Sequence, residues 1–429
     1  MSVRILATAD IHIGRCPTKV PDPEDTRRFS CARMWQAIVE RAIQEQVDLV
    51  TLSGDIVDHD NRFFEATGPL EAGLTKLAAA GIHTYAVAGN HDYDVLPRIV
   101  DAVGTDHFHL LGRDGRWEQT EFIRDGQPLL RIHGWSFPAS HVLTSPLASW
   151  KAATDDDLPV VGLLHADLDV PDSRYAPVSR AELEPRDLTM WLLGHVHRPQ
   201  LWEATAGPAV LYPGSPQAMD PGETGRHGPW LIEVHGRHDV TASPIALSKV
   251  RYAELTVDLS DQETKEEFDA HLIDCTGEHL TDIANDGGPL EYVSLRIDLT
   301  GRTLLCGQVD GFAEPLREQF ERTVGQVTAR IDKVTNNTQP LIDLEELALK
   351  HDPPGILAQT LLQLQSEQTG DRLATLLHDA HQKQREVFHA GAYGSIGDDK
   401  VPDVAATRHG LIRQGTLLLD RLLTEERSA

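Results

Sequence analysis

Five short clusters in this 429-residue sequence gather side chains that could hold metal ions: Asp10-Ile11-His12, Gly54-Asp55-Ile56-Val57-Asp58, Gly89-Asn90-His91-Asp92, His165, and Gly194-His195-Val196-His197. Carboxylates, an amide oxygen and imidazoles are hard or borderline ligands, suited to manganese, zinc or iron. Each cluster stands behind an apolar run, as Val161-Gly162-Leu163-Leu164 does before His165 and Trp191-Leu192-Leu193 before Gly194. A strand should end and a loop begin at each. Taken singly the clusters say little: an Asp-x-His triplet is common in a chain with 21 histidines, and a lone histidine at a strand end is more often an ordinary polar residue. The Gly89 and Gly194 clusters are sharper, because glycine before a ligand lets the backbone turn tightly out of a strand. All five in this order leave little room for coincidence.

The elements that must position these loops follow from the hydrophobic pattern. Residues 3–8, 47–53 and 83–88 read as strands and residues 28–45 and 70–80 as amphipathic helices, the alternation of a buried sheet with helices on its faces. Residues 117–123, 128–135, 160–164 and 189–193 are richer in strands and predict a second sheet packed on the first. Short strands at 201–203, 209–212, 230–234 and 240–245 are expected to complete that second sheet. In open α/β sheets ligands bind outside the carboxyl ends of the strands, so the five loops can converge on one crevice.

From Arg251 the pattern resets. A strand at 254–258, helix at 263–274, strand at 292–298, helix at 313–321 and strand at 326–333 predict a small α+β accessory domain. Beyond Gln339 the chain turns helical, with leucines at helical spacing in 341–349, 356–365 and 372–387. A break rich in Gly and Asp at 391–399 precedes a last helix near 404–425. The expected domains are therefore 1–250, 251–338 and 339–429.

Composition bounds the partners. Forty per cent apolar and 24% charged residues describe a globular chain, and no apolar run approaches the roughly 18–20 residues that span a bilayer. No secretory signal is read at the start, which places the protein in the cytoplasm with no membrane partner. Cys16, Cys31, Cys275 and Cys306 lie far apart and form no CxxC pair, so reduced, mostly buried thiols are expected. A net charge of −27 argues against nonspecific adsorption to nucleic acid, which basic groups drive. It leaves a nuclease open, because divalent ions and a partner subunit can supply positive charge.

The ordered set of clusters resembles the calcineurin-like metallophosphoesterases, whose pattern it matches at every expected ligand. The resemblance implies an α/β fold, a two-sheet αββα metallophosphoesterase sandwich, here with a small α+β accessory domain and a C-terminal helical tail. It also implies that Asp10, His12, Asp55 and His197 hold one divalent ion. Asp55, Asn90, His165 and His195 would hold the other, with Asp55 bridging. Two cations about 3.5–4 Å apart bind phosphate oxygens and lower the pKa of a bound water, giving hydroxide at neutral pH for in-line attack. By the same resemblance His91 points at the scissile phosphate, to stabilise charge or protonate the leaving oxygen. Asp92 either orients that imidazole or is a turn-forming acid capping its own loop.

Thr8-Ala9-Asp10-Ile11-His12-Ile13-Gly14, the Gly54 and Gly89 clusters, Leu193–Pro199 and Tyr212-Pro213-Gly214-Ser215-Pro216 look like the SbcD type of DNA repair exonuclease. The leucine-rich stretch at 341–349 followed by His351-Asp352-Pro353-Pro354-Gly355 resembles the YhaO-like relatives of that type. This branch implies a manganese-dependent DNA exonuclease or endonuclease, working as one subunit with an SbcC-like or YhaN-like SMC-type ATPase; it also admits a homodimer. Asp58 stands where some nucleases of the group carry a histidine implicated in exonuclease action. Arg15, His59 and Arg198 are placed to touch DNA, with ordinary surface salt bridges as the alternative for the two arginines. His83, His107, His109, His133 and His141 read as surface or satisfied core histidines. In the last helix Leu411, Ile412, Leu418, Leu419, Leu422 and Leu423 form an apolar stripe that docks into the ATPase or folds back on the accessory domain. A phosphoesterase for small phosphodiesters or nucleotides shares all five clusters, and an inactive scaffold would be expected to lack a ligand.

Overall fold

The computed structural model describes residues 2–20, 27–59, 66–104, 106–151, 157–203, 207–366, 370–388 and 403–428; the expected break at 391–399 lies outside them. The chain divides into two compact units. One comprises Met1–Glu254, Leu280–Leu295 and Glu321–Asp332, the other Leu255–His279, Arg296–Phe320 and Lys333–Ala429. The division thus assigns three stretches of the expected 251–338 domain, residues 251–254, 280–295 and 321–332, to the first unit.

In its Met1–Glu254 stretch the first unit carries, among the described residues, the twelve strands of two six-stranded sheets. They are β1 (Val3–Thr8), β2 (Leu49–Ser53), β3 (His83–Val87), β4 (Phe108–Leu110), β5 (Glu118–Arg124), β6 (Gln127–Trp135), β7 (Val160–His165), β8 (Met190–Gly194), β9 (Gln200–Trp202), β10 (Ala209–Tyr212), β11 (Trp230–Gly236) and β12 (Asp239–Pro244). The first sheet runs β12-β11-β1-β2-β3-β4 and the second β5-β6-β7-β8-β10-β9. β1 to β4 are parallel neighbours, as are β6, β7, β8 and β10. Parallel strands need crossovers; helices α1 (Cys31–Gln44), α2 (Thr67–Ala79) and α3 (Leu96–Val103) supply those of the first sheet.

Alternate residues of each strand serve two layers. Ile5, Leu49, Tyr85 and Val87 meet Leu130, Ile132, Val161 and Leu163 between the sheets. Leu6, Val50, Leu52 and Ala86 pack under Trp35, Ile38, Leu70 and Leu74 of the helices. Burial on both faces explains why these strands read as continuous apolar runs. A side chain at Gly73 would collide with the Trp35 indole, so this glycine sets the close approach of α2 to α1.

One expectation is corrected. The strands at 230–236 and 239–244 do not finish the second sheet; β11 pairs antiparallel with β1, Val3 opposite Val234, and β12 extends that edge of the first sheet. The open edge of β1 and its apolar alternation with Trp230, Ile232 and Val234 give this pairing a buried face.

A four-stranded sheet follows, of β13 (Val250–Asp258), β14 (Tyr292–Thr300), β16 (Glu321–Val324) and β17 (Val327–Asn336) in the order β13-β14-β17-β16. The short β15 (Arg302–Thr303) pairs with β18 (Gln339–Pro340). Helix α4 (Lys265–Asn285) outruns the expected end at 274, since Thr276, Leu280 and Ile283 continue the buried stripe of Phe268 and Leu272 past Gly277. Helix α5 is Val309–Gln319, and Glu321 begins β16 rather than closing a helix.

The helical region has α6 (Leu344–Leu347), α7 (Pro353–Gln365), α8 (Asp371–Phe388) and α9 (Val404–Ser428). The Asp352 carboxylate accepts the Gly355 N–H and Pro353 takes the first turn, where a missing N–H costs nothing, so the His351–Gly355 sequence is a helix start. Leu419 of α9 is fully buried with Leu361 and Leu364 of α7 and Leu373 and Leu377 of α8, and Leu411, Ile412 and Leu423 pack against them. The α9 stripe thus packs on α7 and α8 of the helical region, with Leu418 left exposed.

Candidate metal centre

All five clusters fall at the carboxyl ends of parallel strands. Asp10 and His12 follow β1, Asp55 and Asp58 follow β2, Asn90 and His91 follow β3, His165 ends β7, and His195 and His197 follow β8. Asp10, His12 and Asp55 have φ of 50°, 50° and 49°, and His195 has 101°. Such left-handed backbone costs a side-chain-bearing residue of order 1 kcal/mol or more and persists only where the surroundings hold it. Here the β1 and β2 loops brace each other: Asp10 N–H donates to Gly54 O at 3.0 Å, His12 N–H to Asp55 O at 3.0 Å and Ile13 N–H to Ile56 O at 2.9 Å. The glycines that precede ligands have a packing reason. A Cβ on Gly194 would stand 1.9 Å from Ser53 O, and one on Gly54 2.5 Å from the His165 ring.

The ligand atoms converge. His12 Nε2 and His197 Nε2 are 3.2 Å apart, and His165 Nε2 lies 3.0 Å from Asn90 Oδ1 and 3.4 Å from Asp55 Oδ2. Asp55 Oδ2 is also 3.9 Å from Nε2 of both His12 and His91, so it stands at the middle of the cluster. Two sets of donors share one region: Asp10, His12 and His197, and Asp55, His165 and His195. His12, Asp58 and His91 form a third.

The electrostatics are those of a site built for cations. Asp10 and Asp55 are buried, and their ion-pair partners among the described residues are imidazoles alone. Burial pushes the Asp55 carboxyl up, but His165, His12 and His91 around it hold it well below the ordinary carboxylate range. Burial works against protonating His165, yet the Asp55 charge and hydrogen bond carry it up to about 9. Burial lowers His91, against the pull of Asp55. Buried carboxylates of this density need positive charge nearby. Amide, carboxylate and imidazole donors with no Lys or Arg paired to Asp10 or Asp55 fit divalent metal.

The calcineurin-like phosphoesterase family profile matches residues 3–199. The chain carries a calcineurin-like metallophosphoesterase domain. It is 28% identical over 353 residues to the uncharacterized metallophosphoesterase YhaO of Bacillus subtilis, covering 79% of this chain and 83% of that protein. It is 24% identical over 251 residues to the DNA double-strand break repair protein Mre11 of Methanopyrus kandleri, 54% of each chain. Among solved structures, TT1561 of Thermus thermophilus covers 57% of this chain and 99% of its own, at TM-score 0.36 and 13% identity.

Around the candidate metal centre lie residues the motifs did not disclose. His197 Nδ1 is 2.8 Å from Glu223 Oε1, and His195 Nε2 is 3.3 Å from Asp167 Oδ1. Each histidine of the Gly194 cluster thus has a carboxylate on one ring nitrogen, which fixes its tautomer and aim. Glu223 has a faint sequence signal, as the acid inside the turn after Tyr212–Pro216; Asp167 has only its place two residues beyond His165.

Of the two readings of Asp92, the hydrogen bonds are those of an acid capping its own loop. Its carboxylate accepts the backbone N–H groups of Gly89 at 2.7 Å, Ile56 at 2.7 Å and Val57 at 3.3 Å, so it clamps its own loop to the β2 loop and does not orient His91. The carboxylate facing His91 Nδ1, at 3.7 Å, is Asp58, which also lies 3.4 Å from His12 Nδ1. His59 is exposed with its ring 6.4 Å from that of His91. Arg15 is engaged by Asp220 at 3.2 Å, the surface salt bridge held open as its alternative, and Arg198 is exposed. No helix among the described residues is long and apolar enough to cross a membrane.

Proposed function

We propose that this chain is a two-metal DNA nuclease, hydrolysing phosphodiester bonds with manganese. Asp10, His12, Asp55 and His197 hold one ion; Asp55, Asn90, His165 and His195 hold the other. When bound, such a pair supplies concentrated positive charge for phosphate oxygens and activates water. The observation that carries the reading is the position of Asp55: its carboxylate sits among the imidazoles of both ligand sets, the place a bridging ligand must take.

The chain's own residues divide the remaining work. His91 has a 35% exposed side chain beside an Asp55 carboxylate that is 3% exposed, so its imidazole stands at the mouth of the centre and can reach a substrate oxygen. Asp58 on its Nδ1 side orients it and favours the proton on that nitrogen. His91 N–H donates to Asp55 Oδ1 at 2.8 Å, tying the catalytic loop to the bridging ligand. Asp167 and Glu223 hold His195 and His197 in position.

DNA as substrate is supported by the likeness to the Mre11 of Methanopyrus kandleri, described as a DNA double-strand break repair protein. The added chain beyond the phosphoesterase domain is more than a small-molecule enzyme requires. A net charge of −27 calls for a partner with a basic DNA path, and an SMC-type ATPase is the partner this reading assigns to the accessory and helical regions. Because α9 packs its stripe internally, exposed Leu341, Leu349 and Ile356 are better placed for such contact than Leu419. The test is end-labelled single- and double-stranded DNA with manganese, with and without an ATPase encoded beside this chain. Manganese-dependent shortening is expected, and hydrolysis of a small phosphodiester without cutting of either DNA overturns the nuclease reading.

A further inference from the structure

The chain after β7 makes a loop, residues 166–178, that folds back beside the Gly194 cluster. Asp167 N–H donates to Tyr175 O at 3.0 Å and Tyr175 N–H to Ser173 Oγ at 3.0 Å. Val142 N–H donates to Arg174 O and Ala176 N–H to Val142 O, each at 2.8 Å. These bonds pin Tyr175 from both sides, and Ala176 takes a φ of 49° that a side-chain-bearing residue keeps only where its surroundings hold it. The pinned Tyr175 ring lies against His195, with centroids 4.7 Å apart, and His141 stacks on it in turn at 5.6 Å and 27° between planes. Inward, His195 meets the His165 ring at 5.2 Å. Exposure rises along this row of rings: His165 is fully buried, the His195 side chain is 20% exposed, Tyr175 is half-buried and His141 is exposed. The same two loops present Leu143 and Val170 to solvent, 68% and 48% exposed.

We propose, resting on the reading of this centre as a DNA-cleaving one, that Tyr175 and His141 form a stacking surface for the nucleobase next to the scissile phosphate. A row of rings that starts at a metal ligand and ends in solvent lies where the base of a nucleotide falls when its phosphate meets the ions. Every base has a π-face, so aromatic rings hold bases without regard to sequence. The chain needs such a hold: at a net charge of −27 it lacks the basic excess that grips a phosphate backbone, and stacking on a ring face does not depend on that excess. Support of His195 does not account for the row. The Asp167 carboxylate, 3.3 Å from His195 Nε2, already aims that ligand, and the outermost ring, His141, is exposed and covers no core.

The test compares two substrates of the full chain with manganese, the p-nitrophenyl ester of thymidine monophosphate and methyl p-nitrophenyl phosphate. They share a leaving group, and only the first carries a base. The parent is expected to show the higher kcat/KM for the thymidine ester. Tyr175→Ala should lower the ratio of the two kcat/KM values about 10-fold, the scale of a lost base–aromatic stack. Tyr175→Phe, which keeps the ring, should restore the ratio, and His141→Ala, at an exposed position where folding is not at risk, should lower it in the same direction. A parent that does not favour the thymidine ester overturns the proposal, as does a ratio that stays at the parent's value in Tyr175→Ala and His141→Ala, including an equal loss on both esters. End-labelled DNA keeps the two readings apart. DNA cutting by a chain whose ratio ignores both substitutions removes the stacking surface and leaves the nuclease, whereas a ratio that responds in a chain that cuts no DNA does the reverse.

Discussion

His197 Nδ1 lies 2.8 Å from one oxygen of Glu223, whose other oxygen accepts the Ser215 hydroxyl at 2.8 Å and the Met219 N–H at 2.9 Å. The carboxylate is fixed on three sides, and it fixes the imidazole. Burial raises the Glu223 carboxyl, but the His197 hydrogen bond and charge bring it below its ordinary value; burial lowers His197, and Glu223 with Asp10 raises it.

Glu223→Gln should therefore leave the chain folded and weaken divalent ion binding about 10–100-fold, the usual effect of losing a carboxylate behind a ligating histidine. Calorimetric titration with Mn2+ measures this directly. Parent-like affinity in the variant would remove Glu223 from the metal centre.

Asp55 and His91 should separate ligation from catalysis. Asp55→Ala is expected to abolish binding of both ions together with hydrolysis, since one carboxylate serves both ligand sets. His91→Ala should keep Mn2+ occupancy and lower turnover about 100-fold or more, the scale of a lost proton donor. Metal analysis beside single-turnover rates distinguishes the two; a His91→Ala enzyme of parental rate would reduce His91 to a structural part.

pH dependence of stability should show at His133, away from the loops. It is buried on β6 beside Trp150, with ring centroids 4.8 Å apart, and burial with the Arg131 charge lowers its pKa from 6.5 to about 4. The unfolded chain then takes up the proton first, so this contribution is whole above pH 6.5 and is lost as pH falls toward about 4. Between pH 7 and pH 5 the parent should lose about 2 kcal/mol more than His133→Phe, which cannot titrate. Equal losses in denaturant titrations at the two pH values would contradict this.

How much of this was legible follows from how local each signal is. A ligand beside a glycine at the end of an apolar run needs only its neighbours in sequence, so Asp10, Asp55, Asn90, His165 and His195 could be located before any fold was known. The Asp167 and Glu223 partners could not be: Glu223 reaches His197 across 26 residues and a turn, and nothing in its own surroundings names the ring it will meet. For Asp92, adjacency to His91 leaves two readings level, and its direction is set by three N–H groups, two of them on another loop. Strand alternation gives β11 its inner face but not its neighbour, so the pairing with β1 is not legible in the sequence.

The last helix poses the same ambiguity in a form that experiment can settle. A stripe of leucines at helical spacing states that one face must be buried, and it is silent about what buries it. In α9 Leu419 is fully buried, and a side chain at Gly415 would stand 2.8 Å from Leu361 Cδ2, so α7 and α9 are in close contact. Leu419→Ala should destabilise the helical region by about 2–5 kcal/mol, as for other large-to-small changes at buried leucines. Leu418→Ala, at a half-exposed position on the same helix, should cost far less. Truncation before Val404 is expected to lower the melting temperature and open α7 and α8 to limited proteolysis, because Leu361, Leu364, Leu373 and Leu377 lose their cover. Manganese-dependent hydrolysis of a small phosphodiester should survive, since every ligand lies before residue 200. A truncated chain that melts like the parent and loses only its hold on an ATPase would return α9 to the role of a docking helix.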